Sequence, residues 1–251
     1  MKYMGSKARL AKHLKPILES YLKDDTYYVE PFAGGCNLIC EIDHHYRIAN
    51  DFNVPLIQCF KDLQNGWLPP QQISRGVYNK YRTYYNDGSC PEDELGMMGY
   101  VGINGSYGGR WFDGGYAGIT TTKQGKTRNY PEEAYRNVVI QSPKLSGIVF
   151  ESVDYKDLHI PQNSVVYCDI PYKGTKDYNT TKNSGFNYEE FYSWCKVLTE
   201  RFGCTVFLSE YEAPVGFELV WEKELTSSLR ANSTVSGAKK SVEKLFKYKR
   251  S

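Results

Sequence analysis

Apolar residues in the first fifty positions follow two different spacings. Positions 10, 14, 17, 18 and 22 recur at helical intervals, which predicts a helix from Leu10 to Leu22. The apolar run from Thr26 to Phe32 predicts a buried strand that ends at Gly34-Gly35. A second helix is predicted from Asn37 to about His45 and a second strand from Arg47 to Phe52, so the order of elements indicates one βαβ unit.

Strand patterns return in the second half of the chain. They cover Ile148 to Val153, Ser164 to Cys168, Thr205 to Ser209 and Phe217 to Trp221, and a helix is predicted from Tyr188 to Arg201. The sequence therefore predicts a core in two pieces, residues 1–52 and 148–251. Residues 53–147 are predicted to form an insert between them.

The middle of this insert does not have the composition of a core strand. Nine glycines fall within the 23 residues from Gly96 to Gly118. The aromatic residues among them are Tyr100, Tyr107, Trp111, Phe112 and Tyr116. We predict hairpins and loops with exposed rings here, or a flexible lid, because glycine lets the backbone approach a partner closely.

Composition is that of a folded globular protein. The 251 residues are 41% hydrophobic and 24% charged, and a chain of this length can bury a core without disulfides. No apolar stretch approaches the roughly 18 residues that a membrane span requires, so we expect a cytoplasmic protein. The seven cysteines include no CxxC pair and no histidine lies at zinc-finger spacing, so we expect reduced thiols and no metal.

Basic residues are unevenly distributed, although the net charge is only +2. Residues 223–251 hold eight basic side chains against two acidic ones, and residues 108–144 hold six against three. Both stretches could face phosphates, but a solvated charged surface is the more common explanation of such a run.

The glycine turn after the first strand suggests a nucleotide-type cofactor. A small turn leaves room for the cofactor above the strand end, and an acid that ends the next strand can bind ribose hydroxyls. Asp51 lies 17 residues beyond Gly34, near the roughly 20 expected for that acid. The residues after Gly35 depart from the G-x-G-x-x-G fingerprint, which disfavours a dinucleotide.

The segment Asp169-Ile170-Pro171-Tyr172 follows a predicted buried strand. Proline fixes the backbone so that a nearby carbonyl projects outward, and the Asp169 carboxylate offers a second acceptor. Two fixed acceptors suit an exocyclic amino group, and Tyr172 could stack on the ring that carries it. The alternative is that the Pro-Tyr pair simply ends a strand and that Tyr172 fills the core.

These segments occur in the order of a known family, and the chain resembles the Dam-type DNA adenine-N6 methyltransferases. The N-terminal residues 2–7 resemble the family's Lys-aromatic-x-Gly-Gly-Lys block, with Ser6 in place of the second glycine. Residues 169–172 resemble its Asp-Pro-Pro-Tyr block, with Ile170 in place of the first proline. The other similar segments are Glu30 to Gly35, Asn50 to Asn53, Val153 to Tyr155 and Leu208 to Tyr211.

The resemblance implies an α/β fold with a Rossmann-like mixed sheet flanked by helices and an inserted DNA-recognition subdomain. It implies S-adenosylmethionine as the cofactor and Asp169, Pro171 and Tyr172 as the catalytic residues, which would hold an adenine flipped out of double-stranded DNA. The implied cofactor-binding residues are Tyr3, Lys7, Phe32, Ala33, Gly34, Gly35, Asp51, Asp154, Tyr155 and Asp169.

The insert is the expected reader of DNA sequence. Asn104, Arg110, Trp111 and Phe112 are predicted to enter a groove, where Arg110 would reach a guanine edge or a phosphate. Lys123, Lys126 and Arg128 are expected to contact phosphates, although each could equally be an exposed loop cation. We expect no membrane partner and no obligate protein partner, and a location in a bacterial or phage-infected cell.

Three other functions compete with this interpretation. An RNA adenine methyltransferase would use the same pocket. A DNA-binding protein without catalysis is favoured only by Ile170. A nicotinamide oxidoreductase would share the βαβ unit, but the chain lacks the third fingerprint glycine of that class.

Overall fold

The structure is a computed structural model that describes residues 1–121, 125–172, 185–212, 214–226 and 240–250. Seven strands of these residues form one sheet. They are β1 (Tyr28–Glu30), β2 (Arg47–Asn50), β5 (Ile148–Glu151), β6 (Val165–Cys168), β7 (Thr205–Glu210), β8 (Phe217–Thr226) and β9 (Lys240–Tyr248). A separate antiparallel pair consists of β3 (Ile119–Thr121) and β4 (Thr127–Asn129).

The strand order of the main sheet is β5-β2-β1-β6-β7-β9-β8. The first five strands in this order are parallel, and β9 runs antiparallel to both of its neighbours. The chain moves outward from β1 to β2 and β5, and then returns to place β6 on the other side of β1. Ligands of open α/β sheets bind where the strand order reverses in this way, outside the carboxyl ends of the strands.

Helices cover both faces of this sheet. They are α1 (Ala11–Glu19), α2 (Val54–Gln64), α3 (Arg75–Asp87), α4 (Leu95–Asn104), α5 (Tyr130–Gln141) and α6 (Tyr188–Phe202). Side chains of β6 alternate between the faces: Tyr167 packs in a cluster with Leu14 of α1, and Val166 packs in a second cluster with Phe191 of α6. The predicted α/β fold, a mixed sheet flanked by helices, is confirmed.

The helix predicted from Asn37 to His45 is wrong, because the structure has only a short 3-10 turn there, Ile39–Glu41. The guanidinium of Arg47, the first residue of β2, donates to the carbonyl oxygens of Ile39 (3.2 Å) and Ile42 (3.3 Å). A side chain thus satisfies carbonyls that a longer helix would pair with its own N–H groups.

The C-terminal part of the sheet is larger than predicted. The strand predicted from Phe217 to Trp221 continues to Thr226, and β9 pairs with it along its length. Lysines at positions 240, 244 and 247 interrupt the apolar pattern of β9 in the sequence, yet Leu245 and Phe246 are buried. Part of the basic stretch at residues 223–251 is therefore a strand of the core sheet.

The exposed aromatic hairpins predicted between Gly96 and Gly118 are also wrong. Residues 95–104 are the buried helix α4, and Trp111 and Phe112 are 7% and 3% exposed. Gly99 lies so close to α2 that a Cβ there would come within 2.0 Å of the Pro55 carbonyl oxygen. Glycine at this position serves close helix packing and not a flexible loop.

The predicted insert starts with a helix that belongs to the same core as the sheet. The ring of Phe60 in α2 stacks on that of Phe150 in β5, with centroids 5.7 Å apart and planes 10° apart. The division of the chain at residues 53 and 147 stays a prediction.

Candidate active site

A cavity of about 370 Å³ opens at the carboxyl edge of the sheet, where the strand order reverses between β1 and β6. The N-terminal segment and the ends of β1, β2, β5 and β6 contribute its walls. All ten residues predicted to bind the cofactor line it: Tyr3, Lys7, Phe32, Ala33, Gly34, Gly35, Asp51, Asp154, Tyr155 and Asp169. The structure thus brings residues that are up to 166 positions apart in sequence to one cavity, while their role in binding stays a prediction.

The glycine turn is held by the acid that ends the next strand. Gly34 has φ +47°, and its N–H donates to Asp51 Oδ2 at 2.9 Å. The N–H of Asn53 donates to Asp51 Oδ1 at 3.0 Å. Burial raises the pKa of Asp51, and these two N–H donors oppose that rise. Asp51 therefore organises the turn whether or not it also binds a ribose.

The turn also packs closely against the N-terminal segment. A Cβ at Gly34 would lie 2.7 Å from the ring of Tyr3, so only glycine fits there. On the other side, the buried Asn50 amide donates to the carbonyl oxygens of Pro31 (3.0 Å) and Val153 (3.1 Å). These contacts join the ends of β1, β2 and β5 into one wall of the cavity.

Asp169 at the end of β6 forms an ion pair with Lys7. The Lys7 Nζ lies 2.7 Å and 2.9 Å from the two carboxylate oxygens, and the Lys7 side chain is 9% exposed. Burial raises the pKa of Asp169, and the positive charge of Lys7 opposes that rise. The same Nζ lies 4.9 Å from the centroid of the Tyr172 ring. Lys7 thus contacts two of the predicted catalytic residues.

Ile170, which replaces the first proline of the Asp-Pro-Pro-Tyr block, packs in the core. Its side chain is 2% exposed and packs in the apolar cluster that contains Phe191. The Pro171 carbonyl oxygen accepts a hydrogen bond from Tyr188 Oη at 2.9 Å. Two backbone carbonyls stand beside the Asp169 carboxylate in sequence, those of Ile170 and Pro171. Because the Pro171 carbonyl already has a protein donor, we take the Ile170 carbonyl as the candidate second acceptor.

Tyr172 lies beside the cavity, and the described lining does not include it. Its hydroxyl donates to Glu243 Oε2 at 2.9 Å, and its ring meets that of Tyr211 edge to face with centroids 4.5 Å apart. Tyr172 is half-buried, and its role in stacking on a base stays a prediction. Asp169 and Pro171, by contrast, line the cavity directly.

Glu30 is a cavity residue that the sequence analysis gave no role. It is 3% exposed and accepts a hydrogen bond from Tyr28 Oη at 2.8 Å. Burial raises the pKa of this carboxyl to about 8. The signal in the sequence was an acid within an otherwise apolar strand, next to the glycine turn.

The residues predicted to contact DNA divide into buried and exposed groups. The Asn104 amide donates to the Tyr100 carbonyl oxygen at 3.1 Å, and Asn104 is 4% exposed. Asn104, Trp111 and Phe112 are therefore core residues, and their burial contradicts the predicted groove contacts. The rings of Trp111 and Phe112 pack against Gly102 of α4, where a Cβ would lie 2.7 Å and 2.9 Å from them.

The four predicted cations differ in their surroundings. Arg110 and Lys126 are exposed. Arg128 is exposed as well but donates to both carboxylate oxygens of Glu133, at 2.7 Å and 2.8 Å. Lys123 lies outside the described residues.

The described residues contain neither a metal cluster nor a membrane-spanning helix. No group of three or more His, Cys, Asp or Glu side chains there has an arrangement that could hold a metal ion. Within the same residues, no helix combines the length and the apolar character needed to cross a membrane.

Comparisons with known proteins agree with these observations. The family model for D12 class N6 adenine-specific DNA methyltransferases matches residues 3–88. The retron Ec67 DNA adenine methylase of Escherichia coli is 24% identical over 250 residues, which cover 92% of this chain and 79% of that protein. The type II methyltransferase M1.LlaDCHI of Lactococcus lactis subsp. cremoris is 26% identical over 245 residues, covering 87% of this chain and 82% of that protein.

A solved structure is also among the matches to this chain. SMU.472, assigned as a methyltransferase and solved in complex with SAH, is 11% identical, with a TM-score of 0.36. The match covers 96% of this chain and 52% of that chain. The family model and the two relatives agree with the predicted kind of enzyme: this chain is similar to D12 class N6 adenine-specific DNA methyltransferases.

Proposed function

We propose that this protein transfers a methyl group from S-adenosylmethionine to the exocyclic N6 of an adenine flipped out of duplex DNA. The single observation that supports this most strongly is the shared cavity. The glycine turn at Gly34 and the acceptor group Asp169 line the same space, although they lie on different strands. A methyl donor and a methyl acceptor can therefore meet there.

The residues present fit the cofactor. A cavity of about 370 Å³ lies within the range of small-molecule sites, roughly 300–1,000 Å³. Asp51 offers a carboxylate to ribose hydroxyls, and Lys7, whose ammonium is paired with Asp169, places a positive charge beside a cofactor carboxylate. S-adenosylmethionine, when bound, supplies a methyl group carried on a positively charged sulfur.

The protein's own contribution to catalysis is to position the adenine amino group. The lone pair of an adenine amine is delocalised into the ring, so the amine is a weak nucleophile. The Asp169 carboxylate and the Ile170 carbonyl accept its two N–H hydrogens and favour the pyramidal form that attacks in line. Held by these two acceptors, N6 would receive the methyl group that the cofactor's sulfur carries and would then release one proton to solvent.

Duplex DNA hides this amine, so the base must leave the stack. Flipping costs a few kcal/mol of stacking and pairing free energy. Tyr172 is the aromatic residue next to the acceptors, and stacking of the flipped adenine on its ring offsets part of that cost.

Arg110 is the exposed residue of the insert that we assign to DNA contact. The N–H of Met4 donates to the carbonyl oxygen of Gly109 at 3.3 Å, so Arg110 follows directly on a contact with the N-terminal segment. Since Met4 and its neighbours line the cavity, DNA that delivers a base to Asp169 passes near this guanidinium.

Replacement of Asp169 by alanine tests the proposal. We expect Asp169→Ala to abolish methyl transfer to duplex DNA, while circular dichroism shows an intact fold. The matched control is Asp157→Ala, which removes an exposed carboxylate outside the cavity and should leave turnover unchanged. Near-normal turnover by the Asp169 variant would refute the assignment of this carboxylate as the acceptor of the amine.

A further inference from the structure

We propose that Glu243 is a positioning residue that holds the Tyr172 ring in place for the flipped adenine. This inference rests on the proposed function, since it concerns the aromatic residue on which the base stacks. Glu243 lies 71 residues after Tyr172 in the chain, on a strand that the sequence pattern does not predict. The structure brings the two side chains into direct contact.

Strand polarity explains why this residue reaches the active edge. β9 runs antiparallel to β7, and Lys244 pairs with Glu210, the last residue of β7. The start of β9 therefore lies at the edge where the parallel strands end. Glu243, one residue before Lys244, stands at the same edge as Tyr211 and the segment after β6.

The phenol of Tyr172 is held at more than one point. Its hydroxyl donates to Glu243 Oε2 at 2.9 Å, while the Tyr211 ring packs against its ring at 4.5 Å between centroids. The Lys7 Nζ lies 4.9 Å from the same centroid. Ring contacts alone leave a tyrosine free to tilt, and the hydrogen bond at the far end of the ring fixes its direction.

Glu243 has no competing ion pair with its direct cross-strand neighbour. Lys223 lies opposite Glu243 in the β8–β9 register, but its Nζ contacts the His13 Nε2 at 2.7 Å. Both Glu243 and Tyr172 are half-buried, so the bond between them is partly shielded from water. A hydrogen bond that must compete with little solvent orients its partners more strongly.

The experiment compares Glu243→Ala and Glu243→Gln with the wild type on one duplex substrate. The glutamine amide oxygen can still accept from Tyr172, so it should restore the function that alanine removes. Glu222→Ala is the matched control, because Glu222 is an exposed acid on the neighbouring strand β8. Loss of a hydrogen bond to a charged group is expected to lower kcat about tenfold in Glu243→Ala, with S-adenosylmethionine affinity unchanged.

Two further readouts separate positioning from general damage to the fold. A double-mutant cycle with Tyr172→Phe should show that Glu243→Ala lowers kcat less than about twofold once the hydroxyl is gone. A duplex with 2-aminopurine at the target position should fluoresce more strongly with Glu243→Ala than with wild type, because the flipped base is stacked less firmly.

The outcomes distinguish this inference from the proposed function. If the wild type fails to methylate duplex DNA, the proposed function is wrong. If the wild type is active and Glu243→Ala matches it, or if Glu243→Gln loses as much as Glu243→Ala, the positioning role is wrong while the function stands. Equal losses from Glu243→Ala in wild-type and Tyr172→Phe backgrounds also overturn it.

Discussion

Aromatic residues near glycines occur in two regions of this protein, and the structure uses them differently. At the carboxyl edge of the sheet, Tyr3 packs on the glycine turn and Tyr172 stands half-buried beside the cavity. In the segment from Gly96 to Gly118, Trp111 and Phe112 are buried against α4 and α3. The same kinds of residue line a site in the first region and fill a core in the second.

Context within the fold accounts for the difference. The first region follows buried parallel strands, whose carboxyl ends meet where a ligand can bind. The second region carries its glycines at intervals of three within a helix, at Gly96, Gly99 and Gly102, and these small residues let other elements approach. Substitutions in the two regions should therefore act on different properties, stability in the second and catalysis in the first.

The largest expected effect on stability is that of Trp111→Ala. Removal of a buried indole should lower the free energy of unfolding by about 3–5 kcal/mol, because it leaves a cavity in the core. Urea unfolding measures this loss. Tyr107→Ala is the control in the same segment, since Tyr107 is 41% exposed and should cost much less. Equal small effects of both changes would restore the hypothesis of an exposed aromatic hairpin.

Glu30→Gln should change how stability depends on pH. The pKa of Glu30 rises from 4.5 to about 8 in the folded protein, because burial disfavours the charged form. Below the unfolded pKa both states hold the proton, and burial of the carboxyl carries no charge penalty. Between pH 4.5 and 8 the unfolded chain releases that proton, so wild-type stability falls by up to about 1.4 kcal/mol per pH unit.

Glutamine does not titrate, so the free energy of unfolding of Glu30→Gln should rise relative to that of the wild type between pH 5 and pH 8. Denaturant unfolding at several pH values measures it. The exposed acid Glu222 provides the control, as Glu222→Gln should show no such trend. A constant difference between Glu30→Gln and wild type would contradict the buried, protonated state of this carboxyl.

The smallest expected effect is that of Arg110→Ala, which should leave the fold intact and weaken DNA binding. If the guanidinium contacts a phosphate, the plot of log K against log salt should become less steep by about 0.9. If it reads a base edge, the preference among DNA sequences should relax instead. Unchanged affinity, salt dependence and site choice would remove Arg110 from the interface.

The local pattern of hydrophobic residues predicted those helices and strands that have a regular apolar spacing and a clear terminating residue. β1, β2, β6 and α6 fall within their predicted ranges or within one residue of them. The prediction failed where a long-range contact decides the structure. The Arg47 guanidinium donates to the carbonyl oxygens of residues 39 and 42, where a helix was predicted. The lysines of β9 obscure the apolar pattern of a strand that pairs with β8.

Most residues of the candidate site were predictable because they follow strand ends in the chain, while Tyr3 and Lys7 of the N-terminal segment were implied by the resemblance alone. The ends of β1, β2, β5 and β6 meet in space by topology, so their motifs could be joined without coordinates. Glu243 and Tyr188 could not be found in this way, because each acts through a hydrogen bond to a residue far away in sequence. Ile170 could not be judged either until its burial was seen.

The central claim is that the cavity at the sheet edge methylates adenine in duplex DNA. The most direct measurement is mass spectrometry of nucleosides after incubation of the protein and S-adenosylmethionine with a DNA duplex or an RNA oligonucleotide. The account predicts that the wild type forms N6-methyl-2′-deoxyadenosine in the duplex and that Asp169→Ala forms no methylated adenine. Methylation of the RNA alone, or cofactor binding without any methylated adenine, would contradict it.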